Sequence, residues 1–308
     1  MKSIRFLALQ GIRSLGYDLR RVASPASLSI EPIGTDPLTL EYCPSKRGYG
    51  VLEIPIDICR GFHSLGLPLQ SNLHPFVQAY QSAFPLQGTD RELAEITRVL
   101  EEYYDCVRPR SASQVLGLAE RDAPGLQGVP PIGYILPWWE QDVEEMTRGR
   151  ARSLEYVGMR YGIATTAESG HTFFGPVGSS KLALQVARLH RLWQSVRDRG
   201  FQPFGRDAPT KVVALRKDGS YRYMIAEGQH RFALGAALNA ESIPAMVTSV
   251  IRREDVQFWP QVVSGVFSEE GALALFDRLF EGRPAAVTQS WSERHVDHSS
   301  ALARSVGS

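Results

Sequence analysis

Five consecutive residues, Glu227-Gly228-Gln229-His230-Arg231, put an acid, a hinge, an amide, an imidazole and a guanidinium into one turn. The apolar pattern stops there and resumes at helical spacing from Phe232 to Leu238, so the turn reads as the start of an Ala-rich helix near Gln229. A helix start aims unpaired N–H groups and the positive end of its dipole outward. With His230 and Arg231 beside it, the turn is a ready site for an anion, and phosphate is the commonest biological anion. The plain alternative is a polar helix cap, but four polar groups converging after an apolar strand are unusual for one. No P-loop motif and no kinase-type Gly-rich loop occurs, so this turn carries the phosphate site or the chain has none.

Other polar groups lie nearby in sequence. The loop Tyr161 to Val177, rich in Gly, offers Thr165, Thr166, Glu168 and His171, with His171 a candidate phosphate ligand. Arg188 and Arg191 sit on a helix over Ala183 to Gly200 from which they can reach an anion, while His190 and His63 read as ordinary surface or core residues. His74 precedes Pro75 at a helix start and is expected to cap it.

The elements that must hold these groups are legible from periodicity. Thr210 to Leu215 reads as a strand, and Asp218-Gly219 as a hairpin turn. Tyr221, Tyr223 and Ile225 then alternate with Arg222 and Met224 along a second strand. A third strand, with Ile243-Pro244-Ala245, follows the Ala-rich helix. In the first half, Gly50 to Ile58 reads as a strand and Asn72 to Phe84 as a short helix. Thr89 to Tyr104 reads as a helix opened by a Thr89/Glu92 capping box, with Leu93, Ile96, Val99, Leu100 and Tyr103 as its apolar stripe. Ser111 to Pro131 reads as loop, and Glu269 to Glu281 as a final amphipathic helix. Pro137-Trp138-Trp139 and Phe258-Trp259-Pro260 form two aromatic clusters, and the polar run from Pro284 onward reads as a flexible tail.

The strand, the acidic-Gly-x-His-Arg turn, the Ala-rich helix and the "IPA-V" strand together resemble the ParB/sulfiredoxin-like superfamily. Ala183 to Gly200 followed by Phe201-Gln202-Pro203 is similar to the helix that precedes the first core strand there, and the resemblance spans roughly Lys181 to Val250. Sulfiredoxins place a catalytic Cys before the His, where this chain has Gln229. Partition proteins carry a Glu-Arg-Arg turn and a following helix-turn-helix, with no counterpart here. The free-serine-kinase type of turn is the most similar, although Glu227 replaces its usual Asp and Gln229 a second His.

The resemblance implies a ParB/sulfiredoxin-like nucleotide-binding domain, placed over 151–283 of an α+β chain; outside it the residue pattern reads as a basic segment 1–22, a smaller α/β region over 45–150 and a tail 284–308. The resemblance also implies that Gly228, Gln229, His230 and Arg231, assisted by Arg188, hold the phosphates of ATP or CTP. Glu227 would hold Mg²⁺ and assist catalysis, and Glu168 would take the proton of an acceptor hydroxyl, which is a poor nucleophile until that proton has somewhere to go. The expected activity is nucleotide-dependent phosphoryl transfer to a small molecule or sugar. The alternative is a CTP- or ATP-binding switch or adaptor without turnover, whose basic segment and aromatic clusters dock partners.

Composition bounds these readings. A formal net charge of +1, from 34 basic and 33 acidic residues, provides no field for nonspecific DNA binding. Cys43, Cys59 and Cys106, widely spaced, suggest neither a disulfide framework nor a zinc site and point to a reducing cytoplasm. No apolar run is long enough to span a bilayer. Met1 to Val22 is basic and partly amphipathic without a cleavage-site pattern, which suits a surface helix or peripheral contact with a membrane or membrane-bound partner. Its GYDLRRV stretch is similar to N-termini of enzymes of bacterial surface-glycan clusters, which suggests polysaccharide biosynthesis as context.

Overall fold

A computed structural model describes residues 50–71, 73–200 and 210–294. The expectations for residues 1–22, the linker to Pro44, Cys43, Phe201-Gln202-Pro203 and the tail beyond 294 lie outside them.

The Asp218-Gly219 turn forms as read. Both residues take positive φ, 49° and 74°, which matches the twist of a two-residue hairpin. It joins β4 (Lys211–Lys217) to β5 (Ser220–Glu227) antiparallel. The Ala-rich segment becomes α6 (Gln229–Ala237), and β6 (Ser242–Arg252) returns parallel to β4. Small residues on α6 serve packing: a Cβ on Gly235 would stand 2.6 Å from Ile243 Cδ1. Pro244 is tolerated because it pairs with Glu53 on one side only, the β4 ladder beginning at Met246.

The same sheet recruits the first half of the chain. β1 (Gly50–Pro55) pairs antiparallel with β6, while β2 (Cys59–Gly61) runs parallel to β5 and pairs with the short β3 (Leu67–Pro68). The order is β1-β6-β4-β5-β2-β3 in one mixed sheet, so the fold is α+β. The expected regions 45–150 and 151–283 contribute strands to the same sheet, and the boundary between them falls inside a helix. All described residues belong to one compact unit.

Helices cover the sheet. α1 (Pro75–Ala83) starts with its Pro at N1, and its N-cap His74 makes no side-chain cap bond, contrary to the expected imidazole cap. α2 (Arg91–Cys106) buries Ile96, Val99, Leu100 and Tyr103, but Leu93 is 44% exposed. Its capping box is shifted: Thr89 Oγ1 accepts from Arg91 N–H and Glu92 reaches Gly88 N–H. The 111–131 stretch is not all loop, since Ser111 caps α3 (Ala112–Leu116). The Asp142 carboxylate caps α4 (Val143–Tyr161), which sequence reading did not assign. α5 (Ser179–Arg199), α7 (Pro260–Val263) and α8 (Glu269–Glu281, capped by Ser268) complete the helices described.

Two further expectations change. Trp138 and Trp259 meet edge to face at 5.3 Å, with Phe276 packed on both, so these two rings fill the core, while Phe258 is 70% exposed. Residues 284–294 are packed too: Trp291 is fully buried and its indole N–H donates to Leu73 O at 2.8 Å. Cys59 and Cys106 are free thiols, as read, with Cys59 fully buried. Among the described residues no helix is long and apolar enough to cross a membrane.

Two buried arginines tie the C-terminal helix to the sheet edge without a carboxylate partner. Arg60 donates to the carbonyls of Leu279, Phe280 and Cys59. Arg278 donates to Leu65 O, Arg283 O and Ser64 O, fixing the loop that carries His63. Arg278→Met leaves those carbonyls without donors and is expected to cost roughly 3 kcal/mol. Urea unfolding checks this; a midpoint equal to wild type would show that these bonds contribute nothing net.

Candidate functional site

The five turn residues do not act together. Glu227 lies opposite Lys211 in the hairpin register and pairs with its ammonium at 2.8 Å, with the carboxylate side chain 52% exposed. Gly228 adopts φ +94°, and a Cβ there would stand 2.5 Å from Thr210 Cγ2, so glycine is required by the bend and by close packing. Gln229 is buried: Oε1 accepts from Phe62 N–H at 3.1 Å and Nε2 donates to Ile225 O at 2.7 Å, tying the turn to the end of β2. Arg231 is half-buried, and its backbone N–H donates to Gly228 O. The expected phosphate cradle of Gly228, Gln229, His230 and Arg231 is thus in part scaffold.

His230 faces inward. Its ring stacks on Phe76 at 4.8 Å, and Nε2 meets Gln185 Oε1 at 3.1 Å. With the amide oxygen accepting, the proton sits on Nε2 and Nδ1 keeps its lone pair. Burial first, then Arg188 and Lys181, push its pKa down to about 4. His230 therefore joins a second constellation that motif reading missed.

That constellation is built on α5. Lys181, Gln185 and Arg188 recur at i, i+4 and i+7, on one helix face. Gln185 bridges Thr172 Oγ1 and His230. Lys181 is 2% exposed, yet among the described residues its ammonium has no hydrogen bond or ion pair. Arg188 lies over the Tyr161 ring at 5.0 Å.

Two loops close on that face. His171 stacks on Phe174 at 4.0 Å, and its Nδ1 accepts from Phe173 N–H, which leaves the ring proton on Nε2. Its loop is clamped to α2 by Tyr103 OH→Phe173 O at 2.6 Å and Tyr104 OH→Thr172 O at 2.9 Å. His63 donates through Nε2 to Ala226 O, while its Nδ1 is buried without a partner. Arg150, from α4, donates to Ile132 O and Tyr134 O and lies over the Tyr134 ring at 3.7 Å.

The electrostatics have one sign. Burial lowers Lys181 to about 8, with Arg188 adding to the effect. His63 falls to about 4 through burial, the bond to Ala226 opposing and Arg150 adding. His171 falls well below its ordinary value through burial, then Arg150, Lys181 and His63. Among the charged neighbours acting on these bases and on His230 there is no carboxylate.

The acids assigned to chemistry stand elsewhere. Glu168 is solvent-exposed, and its bond to the Thr166 hydroxyl holds its pKa below the usual range, opposite to what a base working near neutral pH needs. Among the described residues no three His, Cys, Asp or Glu side chains are placed to hold a metal, and Glu227 pairs with Lys211. Comparison with known protein families, curated proteins and solved structures finds no match.

The buried histidines set a pH dependence. Their folded pKa values, about 4 for His63 and His230 and about 3 for His74, lie below the ordinary 6.5. In that window the unfolded chain binds more protons, so stability is full above pH 6.5 and is lost as pH falls toward about 4. Urea midpoints over this range should drop, and His230→Gln should shallow the drop. An identical pH profile in the variant would show that His230 does not titrate on unfolding.

Proposed function

We propose that the chain binds a phosphorylated, hydroxyl-bearing small molecule, with Lys181, Arg188 and Arg150 supplying the countercharge. The observation that carries this is Lys181, a lysine 2% exposed with no partner among the described residues and a cation, Arg188, as charged neighbour. Buried charges are normally paired, and a ligand oxyanion is the partner that the surrounding groups favour. The lone pairs of His63 Nδ1 and His230 Nδ1 ask for donors, which hydroxyls supply. The sequence resemblance to the ParB/sulfiredoxin-like superfamily makes ATP or CTP the nucleotide of choice, and the element order from α5 to β6 is compatible with it.

Two activities fit such a ligand. One is phosphoryl transfer to a hydroxyl of a small molecule or sugar, in the cytoplasm and in service of surface-glycan synthesis. The other is a nucleotide-operated switch. The placement of Glu227 in an ion pair and of Glu168 in solvent favours the switch, because neither acid is positioned as a base.

A thermal-shift series with ATP, CTP, pyrophosphate and the free nucleosides tests the binding. Phosphorylated ligands should raise apparent stability and nucleosides should not. Arg188→Ala should weaken that binding by about 1.5–3 kcal/mol, the worth of a charged hydrogen bond; full affinity in the folded variant would remove the α5 face from the site. Incubation with nucleotide, Mg²⁺ and a panel of hydroxyl compounds separates the activities: a phosphorylated acceptor establishes transfer, and nucleotide binding without product establishes the switch. In either case Glu168→Gln should leave the outcome unchanged.

A further inference from the structure

We infer that Lys181 is an amine nucleophile that condenses with the carbonyl group of an anionic aldehyde or ketone. The inference rests on the oxyanion reading above, since Arg188 and Arg150 are to hold the substrate's acidic group.

The described lysines show the contrast. Lys211 pairs with Glu227 at 2.8 Å, and Lys217 pairs with Asp277 at 2.9 Å and Glu281 at 3.5 Å, as surface ammonium groups do. Lys181 is the buried one without an acid. An amine attacks a carbonyl only through its free lone pair, and desolvation beside a second cation is the means by which a lysine keeps that pair. With its pKa near 8, the neutral fraction at pH 8 is roughly a hundredfold above that of an ordinary lysine near 10.4. Its electrostatic neighbours are two neutral imidazoles of opposite disposition: His171 carries its proton on Nε2, and His230 keeps a lone pair on Nδ1.

The step balances without a redox partner. The Lys181 Nζ lone pair forms a bond to the carbonyl carbon while the C=O π pair moves to oxygen. A proton passes from nitrogen to that oxygen, giving a carbinolamine. The nitrogen lone pair then forms the C=N bond as the C–O bond breaks, and the departing hydroxide takes up the remaining nitrogen proton, relayed through His230 Nδ1. The net products are one imine and one water.

Reductive trapping tests this on the full chain. The protein is incubated at pH 8 with glyoxylate, pyruvate or glyceraldehyde 3-phosphate and cyanoborohydride, then peptide-mapped. The expected result is one adduct, on Lys181 in preference to Lys2, Lys46, Lys211 and Lys217. Adducts spread over the other lysines, or none on Lys181, overturn the inference. The wild-type map decides this without a variant. Lys181→Arg adds a check, because a guanidinium forms no imine and the variant should lose the adduct. Pyrophosphate stabilisation of wild type with no Lys181 adduct sinks the nucleophile alone; failure of stabilisation sinks the oxyanion reading beneath it.

Discussion

Burying positive charge without an acid is the constraint around which this molecule is arranged. An isolated ammonium in a low-dielectric interior is costly enough that the group shifts its pKa or acquires a partner. The chain solves the problem for its arginines with main-chain oxygen. Arg60 takes the Leu279 and Phe280 carbonyls at the C-terminal, negative end of α8, and Arg278 takes those of Ser64, Leu65 and Arg283. Arg150 takes those of Ile132 and Tyr134. Lys181 receives no such oxygen among the described residues. The difference marks Lys181 as a buried charge that main-chain oxygen does not satisfy.

The scaffold holds that charge in place from several directions at once. Helical repeat puts Gln185 and Arg188 on the face of Lys181. Two tyrosines of α2 fix the loop of His171 through its carbonyls. Arg278 fixes the loop of His63, and Gln229 ties the β5–α6 turn to β2. Each anchor is a side chain bonded to backbone, which specifies where a loop runs and not merely that it is buried. A site assembled this way is preorganised, so little conformational entropy remains to be lost when a ligand enters.

Much of the sheet was legible because its signals are local. Asp218-Gly219 needs positive φ at both positions, and the alternation around it needs only the two neighbouring strands. α8 was legible from end to end, since Ser268, Gly282 and the apolar period agree. Legibility failed where pairing is distant. Nothing local tells that β1 joins β6, or that Trp138 finds Trp259 across more than a hundred residues. α4 was hidden by its weak apolar content, with only Leu154 and Gly158 buried, although Asp142 followed by Glu144 and Glu145 is a helix-start signal. The turn motif was read for residue type, whereas function depends on which polar atoms are already spent. Gln229 and Glu227 are spent on Phe62, Ile225 and Lys211. Lys181, at the edge of the resembling segment, gave no sign in sequence that its ammonium would be left without an acid.

The two kinds of cation around this site differ in a way that assigns them different work. A guanidinium stays charged at any pH near neutrality and offers a planar fork that matches an oxyanion. An ammonium is a point charge that can lose its proton when desolvated. Arg188 and Arg150 therefore hold negative charge whether or not Lys181 is protonated, and the field of Arg188 favours the neutral amine until an anion arrives. An oxyanion seated on the guanidiniums cancels part of that field, whereas one seated on Lys181 itself would restore its proton outright. Affinity and reactivity thus compete for the same side chain. The geometry resolves the competition by placing a second cation two helical turns along the same face.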